Sequence, residues 1–102
     1  MSLSSGRAFS RGLKELRIHF AQEAPASRGL RDFIVKAYPA MKAANPKLPV
    51  LIREASGVES RIIARFDRGR ERKIVVDSLS AAEVEQRFNA LVAEADSTQQ
   101  QP

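Results

Sequence analysis

Cysteine is absent from all 102 residues. With it go disulfides, thiolate zinc sites, iron–sulfur ligation and thiol nucleophiles. Histidine occurs once, at His19, and a single imidazole makes no metal site by itself. Tryptophan is missing and aromatic residues make up only 6%, which leaves little from which to build a platform for stacking nucleic-acid bases. No apolar run approaches the roughly 20 residues that cross a bilayer, so membrane insertion is not expected. Neither G-x-x-x-x-G-K-[ST] nor G-x-G-x-x-G occurs, so phosphate-cradling loops of those kinds are excluded.

What remains is ordinary globular material, 43% apolar and 28% charged. The length fits one domain, which buries roughly two-thirds of its unfolded surface. Lys and Arg number 17 against 12 Asp and Glu, a net charge of +5 that invites an acidic partner. The excess is uneven. Residues 1–12 are Ser- and Arg-rich, acid-free and lightly apolar, which suits either a mitochondrial import signal or a basic tail.

The organising stretch is Asn45–Glu54, NPKLPVLIRE. Asn45 and Pro46 stop a helix, Pro49 favours extended backbone before it, and Val50, Leu51 and Ile52 predict a short buried strand spanning 48–54 with a charged exit. Upstream, Leu16, Ile18 and Phe20 alternate with Arg17 and His19, which predicts a strand over 13–21 with one face on the core. Between the two strands, Leu30, Phe33, Ile34, Ala37, Met41 and Ala44 recur at helical spacing behind Ser27, a candidate N-cap. Pro39 predicts a kink in that helix. Downstream, Arg61–Phe66 and Glu71–Asp77 flank a Gly69 turn and read as a hairpin. Ser80 and Glu83 form an S-x-x-E capping box opening a helix striped by Val84, Phe88, Leu91, Val92 and Ala95, and 96–102 reads as a polar tail without order.

The order βαβ then ββα predicts an α/β fold, a four-stranded mixed sheet with two main helices over residues 13–95. With right-handed crossovers it is the minimal thioredoxin-like arrangement, a central parallel pair flanked by an antiparallel hairpin. Both helices are expected on the face of Leu16, Ile18 and Phe20. The other face then shows Arg17, His19, Arg53 and Arg65 with Leu51 and Ile63 between them, a mixed basic and apolar candidate for partner docking. A second cluster, Arg61, Arg68, Arg70, Arg72 and Lys73 around the hairpin, reads as a solvated face, an acidic-protein contact or, less readily, an RNA contact.

Chemistry finds little support. Where thioredoxin-like oxidoreductases place reactive thiols, this chain has Ala24-Pro25-Ala26-Ser27-Arg28-Gly29, and Ser27 lacks a base. His19 reads as a surface or interface residue, and Glu83, Glu85, Asp32 and Glu54 as cap or surface charges. No catalytic, cofactor or metal residue is expected.

With these residues in place, the chain resembles the B8-type accessory subunits of mitochondrial NADH:ubiquinone oxidoreductase (complex I), within the L51/S25/CI-B8 thioredoxin-like domain family. The match lies in LKELRIHF at 13–20, RGLRDFI at 28–34, Tyr38, Lys42, Asn45-Pro46, Pro49 and LIRE at 51–54. The resemblance implies a non-catalytic, cofactor-free subunit on the matrix-facing peripheral arm. It also implies docking chiefly on the large iron–sulfur subunit, in support of assembly and stability, without binding DNA. Animal members carry cysteines at the positions of Ala21 and Ala55, so thiol regulation is absent here. Some members of the family are mitochondrial ribosomal proteins, which sets the alternative: rRNA binding through the hairpin arginines.

Overall fold

In the computed structural model, residues 8–100 are described, with side chains described for 8–95. Most of the basic segment over 1–12, and with it the import-signal reading, lies outside them. The apolar alternation builds strand β1, Leu13–Phe20, with Leu16, Ile18 and Phe20 all buried. A single 3-10 turn, Pro25–Ser27, leads into helix α1, Arg28–Ala44. Strand β2, Val50–Glu54, then runs parallel to β1. β3, Arg61–Phe66, and β4, Glu71–Val75, form an antiparallel hairpin about a 3-10 turn at Asp67–Gly69. Helix α2, Ala81–Gln100, closes the chain.

The sheet order is β2-β1-β3-β4, with β3 antiparallel to β1. Both helices share one face: Leu30, Phe33, Ala37 and Met41 of α1 and Val84, Phe88 and Leu91 of α2 join Leu16, Ile18, Ile62, Ala64 and Phe66 in a single core cluster. Phe88 lies at its centre, its ring 5.2 Å from Phe33 and 5.8 Å from Phe9. This is the predicted α/β architecture, with four strands, mixed pairing and two helices.

Four local expectations need correction. β2 is an edge strand rather than a buried or central one, and Ile52 is 38% exposed. The unbroken V-L-I run looked like a strand covered on both faces, but only Val50 and Ile52 face the helices. Ser27 occupies the N-cap position of α1 without a capping hydrogen bond. Its buried hydroxyl instead reaches the carbonyl oxygens of Ala21 at 2.5 Å and Ala24 at 2.9 Å, tying the β1–α1 connection together. α1 holds Pro39 inside it, as expected, and continues past it. That proline sits on the exposed side, where water can satisfy the Val35 carbonyl left without its helical donor. β4 ends at Val75, because Val76 turns into the core and its N–H donates to the Ser60 carbonyl at 2.8 Å. Finally, α2 runs on to Gln100, since no glycine or proline interrupts it after Ala81.

Two helix-end signals hold, the S-x-x-E box opening α2 and Asn45 closing α1. Glu83 N–H donates to Ser80 Oγ at 3.2 Å and Ser80 N–H to Glu83 Oε1 at 3.0 Å, the reciprocal capping box. At the end of α1, Asn45 Nδ2 donates to the Met41 carbonyl at 2.9 Å while Asn45 Oδ1 accepts the Phe9 N–H at 2.7 Å. One side chain therefore ends the helix and pins the segment entering β1.

Candidate functional site

Residues directly paired across a sheet lie on the same face. The register therefore fixes the face turned away from the helices without reference to any partner. One row reads Leu51, Arg17, Ile63, Lys73 and the next Arg53, His19, Arg61, Val75. A third holds Glu15, Arg65 and Glu71. All six residues expected on this face, Arg17, His19, Leu51, Arg53, Ile63 and Arg65, are there together.

Its electrostatics are lopsided. The cations Arg17, Arg53, Arg61, Arg65 and Lys73 outnumber the carboxylates Glu15 and Glu71. Glu15 Oε1 lies 3.1 Å from Arg17 Nε and 3.9 Å from Arg65 Nε. Just before β3, Glu59 Oε2 lies 3.4 Å from Arg61 Nη1 and 3.2 Å from Lys73 Nζ. Arg53 has no acidic partner within ion-pair distance among the described residues. The Glu59 pairs are about a third to a half exposed and add little stability, so that carboxylate is exchangeable for one of a partner, whereas Glu15 is only 14% exposed.

His19 sits in the middle of this field. Its Nδ1 accepts a hydrogen bond from Arg61 Nε at 3.0 Å, so Nδ1 is unprotonated and the ring neutral. Burial pushes the imidazole below its usual range, and the charges of Arg61, Arg17 and Arg53 push it further. The ring has no carboxylate to orient it and no serine beside it on the face. The histidine is thus a neutral acceptor inside a ring of cations rather than part of an acid–base pair.

The hairpin cluster does not assemble as one patch. Arg61 and Lys73 belong to the open face. Arg72, one residue from Lys73, lies on the helix side, its Nη2 3.3 Å from Glu94 Oε2 of α2. Arg68 and Arg70 are in the turn, Arg68 with φ of 65° and Arg70 Nε donating to the Asp67 carbonyl at 3.2 Å. Grouping by sequence proximity overlooked the period of two, which sends neighbouring strand residues to opposite faces. The same period, carried from β3 across the hairpin, would have brought Lys73 and the 43% exposed Val75 into the open face. Glu15 was legible by alternation with Arg17, but its bridging role needed the β1–β3 register.

The start of α1 holds no free nucleophile, since Ser27 is buried and bonded to two carbonyls. Of the carboxylates set aside in the sequence, Glu83 completes the α2 cap, and Asp32 lies 3.9 Å from Arg28 on the exposed side of α1. Among the described residues no cluster of His, Asp and Glu is placed to hold a metal ion, and no helix is long and apolar enough to cross a membrane.

Comparison with known proteins adds a family context to this geometry. The sequence profile of the family described as mitochondrial ribosomal protein L51 / S25 / CI-B8 domain matches residues 30–81. The chain is 48% identical over 73 residues to NADH dehydrogenase [ubiquinone] 1 alpha subcomplex subunit 2 of Mus musculus, covering 72% of this chain and 74% of that protein. It is 44% identical over 89 residues to the NADH-ubiquinone oxidoreductase 10.5 kDa subunit of Neurospora crassa, covering 86% of this chain and 95% of the other. A more distant similarity, 29% over 85 residues, links it to the large ribosomal subunit protein mL43 of Neurospora crassa, covering 79% of this chain and 62% of that protein.

Proposed function

The chain belongs to the mitochondrial ribosomal protein L51 / S25 / CI-B8 domain family, and we propose that it is a non-catalytic accessory subunit of mitochondrial complex I. The observation that carries this reading is the gradient of similarity within the family: 48% and 44% identity to NADH dehydrogenase subunits against 29% to a ribosomal protein. The site agrees with a binding role, because the open face sets cations and apolar side chains side by side.

The mechanism is burial of a rigid face. Leu51, Ile63 and Val75 supply apolar contact, and the arginines around His19 meet carboxylates of the neighbouring surface. Interface cores favour arginine, which keeps a planar fork of donors available to a carboxylate. In the complex, the domain sits on the matrix side of the inner membrane, on the peripheral arm, chiefly against the large iron–sulfur subunit. There it holds catalytic subunits in register during assembly. It binds no cofactor of its own and contributes no reacting group.

A tagged copy expressed in mitochondria and purified after gentle detergent solubilisation tests the assignment. Stoichiometric recovery of the iron–sulfur and flavin subunits of complex I is expected. Recovery of ribosomal proteins and rRNA in their place would overturn it.

A further inference from the structure

β2 ends the sheet, and its outer side has a defined backbone pattern. Leu16 N–H donates to the Pro49 carbonyl at 3.0 Å, and Ala55 N–H donates to the Phe20 carbonyl at 3.2 Å. Bonding residues alternate along a parallel ladder. Between those ends, then, Leu51 and Arg53 turn their backbone groups to β1, while Val50, Ile52 and Glu54 turn theirs outward.

Exposed strand edges are normally guarded by charge, proline or a bulge. β4, at the opposite edge, carries Glu71, Arg72 and Lys73 in succession. β2 follows Pro49 and is charged only at its end, Arg53 and Glu54, so its first three residues, Val50, Leu51 and Ile52, leave an apolar stretch of edge. Beside it lies exposed apolar surface. Lys42 Nζ of α1 donates to the Leu48 carbonyl at 2.5 Å, so the stripe of α1 containing Lys42 runs along this edge. Val35, seven residues earlier on the same stripe, is about 10 Å back along the helix. That is the reach of about three strand residues beyond Leu48, so a helix running back along the strand carries Val35 toward the middle of β2. Val35 is 78% exposed and Ile52 38%.

We propose that the β2 edge accepts an extended segment of a neighbouring subunit as an added strand, a backbone contact that adjoins the open face at Arg53. Its backbone pairs with Val50, Ile52 and Glu54. Its side chains alternate, apolar ones covering Ile52 and Val35 on the helix side and an acidic one meeting Arg53, which has no counter-ion among the described residues, on the other. A second copy of this chain fits less well, because pairing two β2 edges joins two basic faces without adding acid.

Amide hydrogen exchange on the full chain, free and in the assembly recovered with it, tests this directly. In the assembly, the amides of Val50, Ile52 and Glu54 should exchange at least about tenfold more slowly than in the free chain. Equal exchange in the two states overturns the proposal, as does protection that rises with concentration in the free chain, which would assign the edge to a second copy. The readout does not depend on which assembly is recovered, so it stands apart from the complex I assignment. Ile52→Pro supplies a second test, because the lost N–H points outward and the ladder to β1 stays intact. The variant should keep its circular dichroism and lose incorporation. Should it instead fail to fold, the exchange comparison on the unaltered chain still decides.

Discussion

Arg61 Nε donates to His19 Nδ1 at 3.0 Å, across a directly paired position of β1 and β3. The bond exists only with a neutral imidazole, and burial together with Arg61, Arg17 and Arg53 holds the histidine below its ordinary value of 6.5. Between the lowered folded value and 6.5 the unfolded chain binds more protons, so stability rises with pH across that window. The contribution is complete above the unfolded value and lost as pH falls through the folded one. His19→Gln keeps an acceptor for Arg61 and removes the titration. Thermal melts from pH 7.5 to 5 should fall more steeply for the wild type than for this variant. Parallel curves would show that His19 does not titrate in this way.

Gly29 opens the first turn of α1 directly beneath the loop before α2. A Cβ there would lie 1.9 Å from the Leu79 carbonyl oxygen, a backbone atom with no rotamer to move. Gly29→Ala should therefore separate the helix from the loop and cost about 2–3 kcal/mol, on the scale of overpacked cores. For a domain of this size that is a fall in Tm of roughly 10–20 °C. An unchanged Tm would mean that the Leu79–Ser80 backbone yields freely.

Burial and capping should separate in size. Phe88 is fully buried between Phe33 and Phe9, so Phe88→Ala should cost about 3–5 kcal/mol. Ser80→Ala removes one half of the capping box and should cost about 1 kcal/mol. Arg72→Ala breaks a half-exposed pair with Glu94 and should cost well under about 1 kcal/mol. Chemical denaturation of the three variants checks the order, and a loss for Arg72→Ala exceeding that for Ser80→Ala would contradict it.

The division of the hairpin arginines between two faces and a turn argues against a continuous RNA track. Binding of the full chain to single-stranded RNA should be weak near physiological salt and fall steeply as salt rises, the behaviour of non-specific phosphate contact. Tight binding that survives raised salt and is abolished by Arg68→Ala with Arg70→Ala would instead favour the ribosomal function.

Periodicity made most of the fold legible. The alternation through Leu16, Ile18 and Phe20 and the helical stripes of α1 and α2 placed every main element, because burial of one face leaves the same spacing in the sequence. Sheet order is a different matter. Val50, Leu51 and Ile52 look alike whether a strand is covered on both faces or lies at an edge with one side open, and only the pairing of β3 with β1 puts β2 outside. Ser27 misled for a related reason: a serine before a helix is as able to bond backwards to Ala21 and Ala24 as forwards to the first turn. The open face was readable because alternation is local. Its internal partners, Glu15 to Arg65 and Glu59 to Lys73, depend on registers set by the bulge between Leu13 and Glu15 and by the Asp67–Gly69 turn.

The central claim is that the basic and apolar sheet face joins this domain to complex I. Arg53 forms no ion pair among the described residues, and Arg17, 38% exposed, pairs with Glu15, which is 14% exposed. Both arginine side chains lie at the surface of the sheet, so reversing both charges should leave the isolated domain folded. The most direct measurement is incorporation of an Arg17→Glu, Arg53→Glu double variant into complex I in mitochondria lacking the wild-type chain, read on native gels beside the circular dichroism of the purified variant. A folded variant with incorporation reduced about tenfold or more, the expected scale for two reversed charges at a buried contact, is the predicted result. A folded variant that incorporates like the wild type would contradict the choice of this face.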